Sequence, residues 1–121
     1  MRVVVAGAVV WTNALAMQTE LASLHSATIV IHGDSPGCDV LAGQIAATLG
    51  LTVVSMTKTR ADALQYPGEA WKGLNRRMLT SGARLVLIFH PQIALSRGSH
   101  HLVELAVAAN IPLRIITGDE R

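Results

Sequence analysis

The chain has 121 residues, of which half are hydrophobic but only 3% are aromatic. Domains typically contain roughly 100 to 150 residues, so we expect residues 1–121 to form a single domain. The formal net charge is +2, and the basic residues are spread along the chain rather than clustered. This distribution does not favour a nucleic-acid partner, because nucleic-acid binding needs a dense basic surface.

Several simple features restrict the class of protein further. A single cysteine, Cys38, excludes an internal disulfide. No apolar stretch reaches the ~18 residues that a membrane span requires, and the run after Met1 lacks the pattern of a signal peptide. We therefore expect a cytoplasmic protein with no membrane partner. Only 15% of the residues are charged, which predicts a homodimer or higher homo-oligomer that hides apolar surface.

Short runs rich in Val, Ile and Leu alternate along the chain with segments of helical spacing. The runs predict five strands, at residues 2–6, 28–32, 51–56, 85–89 and 111–116. Apolar spacing predicts four helices between them, around residues 14–24, 41–49, 74–79 and 102–109. We expect Thr12 to cap the first helix, and Gly50 and Asn110 to end the second and fourth. Residues 57–68 show no firm periodicity and are predicted as a loop.

This alternation predicts an α/β, Rossmann-like, three-layer domain. Near-continuous apolar strands separated by helices favour a mainly parallel five-stranded sheet, in the order 3-2-1-4-5, with helices on both faces. In such a sheet the ligand lies beyond the carboxyl ends of the strands, where the strand order reverses. The loops that follow the strands are therefore the candidate site.

The loop after the second strand carries most of the small and polar candidates: Gly33, Asp34, Ser35, Gly37, Cys38 and Asp39. Small residues before a helix expose backbone N–H groups at the positive end of the helix dipole, which can bind a phosphate. The alternative is that the glycines only form a tight turn and that Ser35 or Asp39 caps the helix. Because the Asp39 carboxylate would repel a phosphate, we expect it to accept hydrogen bonds from sugar hydroxyls.

The loop after the fourth strand predicts a second anion site. It begins at His90 and ends in Ser96, Arg97, Gly98 and Ser99, which open a helix. A guanidinium can hold a phosphate through two parallel hydrogen bonds. The alternative is a surface loop with one solvated arginine.

Other candidates come from neighbouring segments. Asn75 and Arg76 lie on the third helix, which can lean over the same crevice, and Gly7 and Trp11 belong to the first loop. We interpret both Trp11 and Trp71 as packing residues, although Trp11 is close enough to its loop to stack on a base.

Metal binding, Ser-His-Asp or Cys-His hydrolysis and dehydrogenase chemistry are not indicated. His100 and His101 are adjacent, so on a helix they point about 100° apart, and Cys38 belongs to another loop than His90. We predict no metal site and no cofactor. No Ser-His-Asp or Cys-His signature is present, and the Gly7-Ala8 turn lacks the other glycines of a dinucleotide fingerprint.

Four segments together resemble the YspA-like branch of the cpYpsA-related SLOG family, whose relatives are the Lonely-guy phosphoribohydrolases and the Rossmann domain of DprA. They are Gly7 with Trp11, residues 32–39 followed by Leu41-Ala42, Asn75-Arg76 with Met78, and Phe89-His90 with residues 96–99. The resemblance implies a Rossmann-like fold and a pocket for a nucleotide or nucleotide-derived ligand. Its phosphate would be held by the loops after the second and fourth strands.

The chain departs from the family pattern at two places. Ala8, Val9 and Val10 replace a polar residue, Arg and Asp, and Leu74 stands where an Arg commonly precedes the asparagine. Two of the family's ligand contacts are therefore missing here.

Two functions follow as hypotheses. The first is a module that binds a nucleotide-derived molecule as a sensor or by sequestering it. The alternative is a nucleotide N-glycosidase that resembles the Lonely-guy enzymes, but Leu102 stands where their catalytic glutamate is expected, which leaves Asp39 as the candidate catalytic carboxylate. Binding of single-stranded DNA, by analogy with DprA, is a third and weaker interpretation because aromatics and a basic groove are lacking.

Overall fold

The computed structural model describes residues 1–118. Five strands alternate with helices, and the strands are β1 (Arg2–Gly7), β2 (Ile29–His32), β3 (Thr52–Ser55), β4 (Ala83–Phe89) and β5 (Leu113–Ile116). The helices are α1 (Ala14–Ala22), α2 (Cys38–Thr48), α3 (Arg60–Gln65), α4 (Ala70–Thr80) and α5 (Arg97–Ala108), with a short 3₁₀ helix at Ile93–Leu95. All five predicted strands are confirmed, and their ends agree with the prediction or differ from it by one or two residues.

The strands form one parallel sheet in the order β3-β2-β1-β4-β5. The predicted order is therefore confirmed, and so is the Rossmann-like α/β architecture. Val4 in the central strand pairs with Ile31 on one side and with Val86 on the other. Because β1 is followed in space by β2 on one side and β4 on the other, the strand order reverses at β1, and the crevice lies at this point.

Successive residues of the central strand face opposite layers, as the pleat of a strand requires. Val3 and Val5 are fully buried against α1 and α2, where Met17 and Leu21 pack. Val4 is fully buried on the other face, against residues of α4 and α5. The strands are thus buried on both sides, which explains why they appear in the sequence as continuous apolar runs.

The helix ends follow local rules, with one correction. Asn13, not Thr12, is the N-cap of α1, because its side chain accepts a hydrogen bond from the Ala16 N–H at 3.0 Å. The prediction that Thr12 caps this helix was wrong by one residue. Gly50 (φ +79°) and Asn110 (φ +57°) take the left-handed conformation just after α2 and α5, as predicted.

The predicted loop at residues 57–68 contains the short helix α3. Thr59 and Asp62 form a capping box, in which each side chain accepts from the other residue's backbone N–H. Arg77 of α4 donates two hydrogen bonds to the Asp62 carboxylate and a third to the Thr57 carbonyl. The hydrogen bonds from Arg77 are the main reason that the pKa of Asp62 falls to about 2. This pair ties α3 to α4, which forms one side of the crevice.

Within residues 1–118, none of the helices has both the length and the apolar character needed to cross a membrane.

Candidate ligand-binding cleft

A cleft of about 370 Å³ lies at the carboxyl ends of β1, β2 and β4, between the loops that follow them and the faces of α4 and α5. It brings together ten of the residues predicted from the sequence: Gly7, Gly33, Asp34, Ser35, Asp39, Asn75, His90, Ser96, Gly98 and Ser99. The strand order reverses here, so the cleft occupies the position in which ligands of this architecture bind.

One side of the cleft is formed by residues 33–39, which we call the acidic wall. Asp39 is its buried carboxyl group, with 7% of the residue's surface exposed. Burial raises the pKa of Asp39 to about 6, although the hydrogen bond that its Oδ2 accepts from the Ser35 N–H at 3.1 Å acts in the opposite direction. Asp39 is therefore a carboxyl group that changes charge close to neutral pH.

Asp34, in the same wall, has the opposite electrostatic environment. Its Oδ1 lies 2.5 Å from the Lys58 Nζ, and its Oδ2 accepts from the Lys58 backbone N–H at 2.9 Å. Partial burial alone would raise the pKa of Asp34, but the hydrogen bonds and charge of Lys58 outweigh it and lower the pKa. Lys58 also lines the cleft, so one cation stands beside the two carboxylates.

The start of α2, at the end of the acidic wall, makes its hydrogen bonds within the protein. Gly37 is the N-cap, with φ +77°, and a Cβ there would lie 1.8 Å from the Val9 carbonyl oxygen. The Cys38 N–H donates to the Ala8 carbonyl at 3.3 Å. The alternative that Ser35 or Asp39 caps this helix was wrong, because the cap has no side-chain hydrogen bond and the Asp39 carboxylate accepts from the Ser35 N–H in the loop instead.

The opposite side of the cleft is formed by residues 96–99, which we call the helix-start wall. The Ser96 side chain caps α5 by accepting from the Ser99 N–H at 3.2 Å. Within residues 1–118, the N–H groups of Arg97 and Gly98 donate no hydrogen bond, and a Cβ on Gly98 would meet open space. These donors stand at the positive end of a 12-residue helix and are available to an anion.

Arg97 belongs to the helix-start wall, but its side chain does not line the cleft. Its guanidinium forms an ion pair with Glu69 and lies 5.6 Å from the centre of the Trp71 ring. The side chain is 78% exposed. Arg97, the residue predicted to bind a phosphate, is thus held at the rim of the cleft by the carboxylate of Glu69.

Asn75 lines the cleft between the two walls, and neighbouring groups orient its amide. Its Nδ2 donates to the Gly98 carbonyl and to His101 Nδ1, both at 3.1 Å. His101 Nδ1 accepts this bond, so the neutral ring carries its proton on Nε2. Burial, together with the nearby positive charges of Arg76 and Lys72, lowers the pKa of His101 and keeps the ring neutral. With both amide hydrogens used, the Asn75 carbonyl oxygen is the atom left to accept a hydrogen bond from a ligand.

His90 lines the cleft next to the helix-start wall. Its Nδ1 accepts from the Gln92 N–H at 3.0 Å, and burial lowers its pKa, so the neutral ring carries its proton on Nε2. Among residues 1–118 there is no group of three or more His, Cys, Asp or Glu side chains that could hold a metal ion.

Five residues predicted to contact a ligand lie outside the cleft: Trp11, Gly37, Cys38, Arg76 and Arg97. Trp11 is 2% exposed, packs edge-on against Phe89 with ring centres 5.5 Å apart, and donates to the Asn13 carbonyl. The interpretation of Trp11 as a packing residue therefore fits the structure, and the alternative of stacking on a base does not. Cys38 is fully buried, and burial raises the pKa of its thiol. Arg76 is exposed on α4.

The sequence analysis missed several residues that line the cleft, among them Val9, Val10, Lys58, Trp71 and Leu95. Trp71 was interpreted as a packing residue, but it stands at the cleft and makes an edge-on contact with His101. Lys58 lies in the segment predicted as a featureless loop. A signal was available there, because Thr59 and Asp62 have the spacing of a capping box and place Lys58 just before a helix.

No protein-family model matches this chain, and no curated protein matches it in sequence. Among solved structures the chain is similar to the X-ray structure of DNA processing protein A (DprA) from Streptococcus pneumoniae, with a TM-score of 0.58 and 18% sequence identity. The similarity covers 98% of this chain and 59% of the DprA chain, so this chain spans little more than half of that protein. At this level of identity, what the two chains share is the Rossmann-like α/β fold.

Proposed function

We propose that the chain binds a nucleotide or nucleotide-derived small molecule that carries a phosphate, as a sensor or sequestering module. The observation that carries this proposal is the pairing of the two walls across one cleft: hydrogen-bond donors at the helix-start wall and carboxylates at the acidic wall. A phosphorylated sugar has the complementary arrangement, with an anion at one end and hydroxyl donors beside it.

The phosphate is proposed to lie at the helix-start wall rather than at both loops. The N–H groups of Arg97 and Gly98 are available there, whereas the Ser35 and Cys38 N–H groups of the acidic wall donate to protein oxygens. Two carboxylates also make the acidic wall unfavourable for a second anion. Arg97 stands at the rim, within the same helical turn as Gly98.

The sugar is proposed to lie against the acidic wall. A carboxylate accepts hydrogen bonds from hydroxyl groups, and Asp39 is the buried carboxyl of the cleft. The Asn75 carbonyl oxygen supplies a further acceptor between the two walls. The apolar side chains of Val9, Val10 and Leu95 line the same cleft and offer a surface for a planar base.

Binding is tested by isothermal titration calorimetry with the four ribonucleoside 5′-monophosphates on the wild type, Arg97→Ala and Arg76→Ala. We expect Arg97→Ala to weaken binding roughly tenfold, because a charge-assisted hydrogen bond is worth about 1.5 to 3 kcal/mol. Arg76→Ala removes the same charge from an exposed position outside the cleft and should leave the affinity unchanged.

A second pair of titrations separates the two walls. Asp39→Asn should weaken binding of the monophosphates but not of inorganic phosphate, while Arg97→Ala should weaken both. If Arg97→Ala and Gly33→Val both leave every nucleotide affinity unchanged, the cleft is not the binding site. Native mass spectrometry of protein purified from cells, followed by denaturation, would identify a bound ligand directly.

The alternative function, hydrolysis of the N-glycosidic bond of a nucleotide, is favoured by one observation. Asp39 has a pKa of about 6 inside the cleft, a value suited to general acid or base catalysis near neutral pH. Against it, Leu102 lines the cleft at the position of the expected glutamate but has an apolar side chain, and Glu104 pairs with His100 at the exposed surface rather than lining the cleft.

Hydrolysis predicts that free base appears when the protein is incubated with a nucleoside 5′-monophosphate. The rate should fall by at least about 100-fold in Asp39→Asn, since general acid–base catalysis typically contributes that much. Recovery of intact nucleotide from the wild type after prolonged incubation would exclude this alternative and leave binding.

A further inference from the structure

Arg97 has the only charged side chain of the helix-start wall, and Glu69 forms an ion pair with it. Its Oε2 pairs with the Arg97 guanidinium, and its Oε1 lies 3.2 Å from the Lys72 Nζ. The Arg97 guanidinium and the Lys72 Nζ both lie within 6 Å of the Trp71 ring centre, at 5.6 and 5.7 Å. The four residues form a cluster at the rim of the cleft, and its Trp71 lines the cleft itself.

A more highly charged anion can replace the Glu69 carboxylate in its ion pair with Arg97. The Arg97 side chain is 78% exposed, and exposed ion pairs contribute little because water and salt screen them. A phosphate monoester carries a charge of about −1.5 to −2 near pH 7 and three acceptor oxygens, against one negative charge on a carboxylate. At the helix-start wall it would also meet the N–H groups of Arg97 and Gly98.

Glu69 keeps a partner when Arg97 leaves it. Lys72 pairs with the same carboxylate, and Glu69 is the N-cap residue of α4, where the helix dipole favours a negative charge. The exchange therefore leaves no charge without a partner on the protein, and the barrier is the movement of one exposed side chain.

Resting on the function proposed above, we propose that Glu69 holds the Arg97 side chain outside the cleft in the free protein, and that the terminal phosphate monoester of a ligand replaces Glu69 as the partner of Arg97. Glu69 then sets how much an anion must gain from Arg97 before it is bound. The cost of breaking the Glu69–Arg97 pair is the same for every anion that reaches Arg97, and a doubly charged monoester gains more from the guanidinium in return than a singly charged phosphodiester does. The ligand class is accordingly a molecule with a terminal phosphate monoester.

The test is a double-mutant cycle measured by isothermal titration calorimetry at low salt. The wild type, Glu69→Gln, Arg97→Ala and the double variant are titrated with the four ribonucleoside 5′-monophosphates and the matching 3′,5′-cyclic monophosphates. We expect Glu69→Gln to tighten monophosphate binding about 3- to 10-fold and to tighten cyclic nucleotide binding by no more than that, because the cost of freeing Arg97 is the same for both and the phosphodiester gains less from Arg97. In the Arg97→Ala background, Glu69→Gln should change nothing.

The matched control is Glu20→Gln, which removes an acidic residue that pairs with Arg114 at 3.1 Å and does not line the cleft. Its nucleotide affinities should stay within twofold of the wild type. A second readout is the fluorescence of Trp71, since Trp11 is buried and far less accessible. Adding a monophosphate should change the emission of the wild type, and Trp71→Phe or Arg97→Ala should abolish that change.

The possible outcomes separate the two proposals. If no nucleotide binds the wild type or any variant, the proposed function is wrong and the role of Glu69 is wrong with it. If the monophosphates bind the wild type but Glu69→Gln leaves their affinity unchanged, or tightens it equally without Arg97, the role of Glu69 is wrong and the binding function stands. Unfolding midpoints of the four proteins, measured alongside, should agree closely because both side chains are at the rim.

Discussion

The acidic wall and the helix-start wall begin from the same kind of sequence, small residues that lead from a parallel strand into a helix, yet they have opposite electrostatic character. In the acidic wall the loop N–H of Ser35 donates to Asp39, and Gly37 allows the chain to pack against the Val9 carbonyl. In the helix-start wall Ser96 caps the helix, and the N–H groups of Arg97 and Gly98 stay available. The N–H groups of a loop before a helix therefore stay available only where no oxygen of the protein itself accepts from them.

The largest expected difference between the two walls is the change in the free energy of unfolding when a glycine of each wall is replaced by alanine. Gly37→Ala should lower the free energy of unfolding by about 3 kcal/mol or more, because a side chain at φ +77° is strained and its Cβ would lie 1.8 Å from the Val9 carbonyl oxygen. Gly98→Ala is the matched control, since its Cβ would meet open space in the first turn of α5. For Gly98→Ala, urea denaturation should show that the free energy of unfolding rises by at most about 1 kcal/mol. Equal losses in the two variants would contradict this contrast.

The next effect comes from the buried carboxyl group of the acidic wall. The pKa of Asp39 is raised from 3.8 to about 6 in the folded state, so ionisation of Asp39 destabilises the fold as the pH rises through this range. Asp39→Asn should therefore raise the free energy of unfolding by roughly 2 to 3 kcal/mol at pH 8. The gain should disappear below pH 4, where the carboxyl group is protonated in both states.

This prediction is checked by urea denaturation at pH 4, 6 and 8. The asparagine keeps an oxygen that can accept from the Ser35 N–H, so the substitution changes the charge more than the packing. A difference between variant and wild type that does not depend on pH would show that the charge of Asp39 is not the cause.

The smallest expected effect comes from the neighbouring carboxylate, Asp34, whose removal should lower the free energy of unfolding rather than raise it. Because Lys58 lowers the pKa of Asp34, ionised Asp34 stabilises the fold above about pH 4, and this contribution is lost as the pH falls through the folded-state pKa. Asp34→Asn should lower the free energy of unfolding by less than about 1 kcal/mol at pH 7, since the Asp34–Lys58 pair is partly exposed and screened by water and salt. The same pH series should show the cost shrinking with acid, and added salt should reduce it. A gain in stability at pH 7 would contradict the role given to Lys58.

The sequence predicted the sheet, its order and ten of the cleft residues because these follow from short-range rules. Alternating apolar runs and helical spacing specify buried parallel strands, and the carboxyl ends of parallel strands meet at one edge. The loop between β3 and α4 escaped prediction because α3 has only six residues and depends on the Asp62–Arg77 pair, whose members are 15 positions apart. Trp11 packs in the core as interpreted, but the position of Trp71 at the cleft could not be read from the sequence, since both tryptophans lie in or near helix starts.

The amino-acid sequence by itself determined a Rossmann-like α/β fold and the loops that line its cleft, because hydrophobic periodicity and the geometry of a parallel sheet are local properties that repeat along the chain. The tertiary structure alone decided how charge is distributed across the cleft. Asp39 becomes a buried carboxyl with a raised pKa, and Asp34 an ionised one beside Lys58. Arg97 is held at the rim by Glu69, 28 positions away. Each of these depends on burial and on partners distant in sequence, which set the energy of a charge and cannot be derived from its neighbours along the chain.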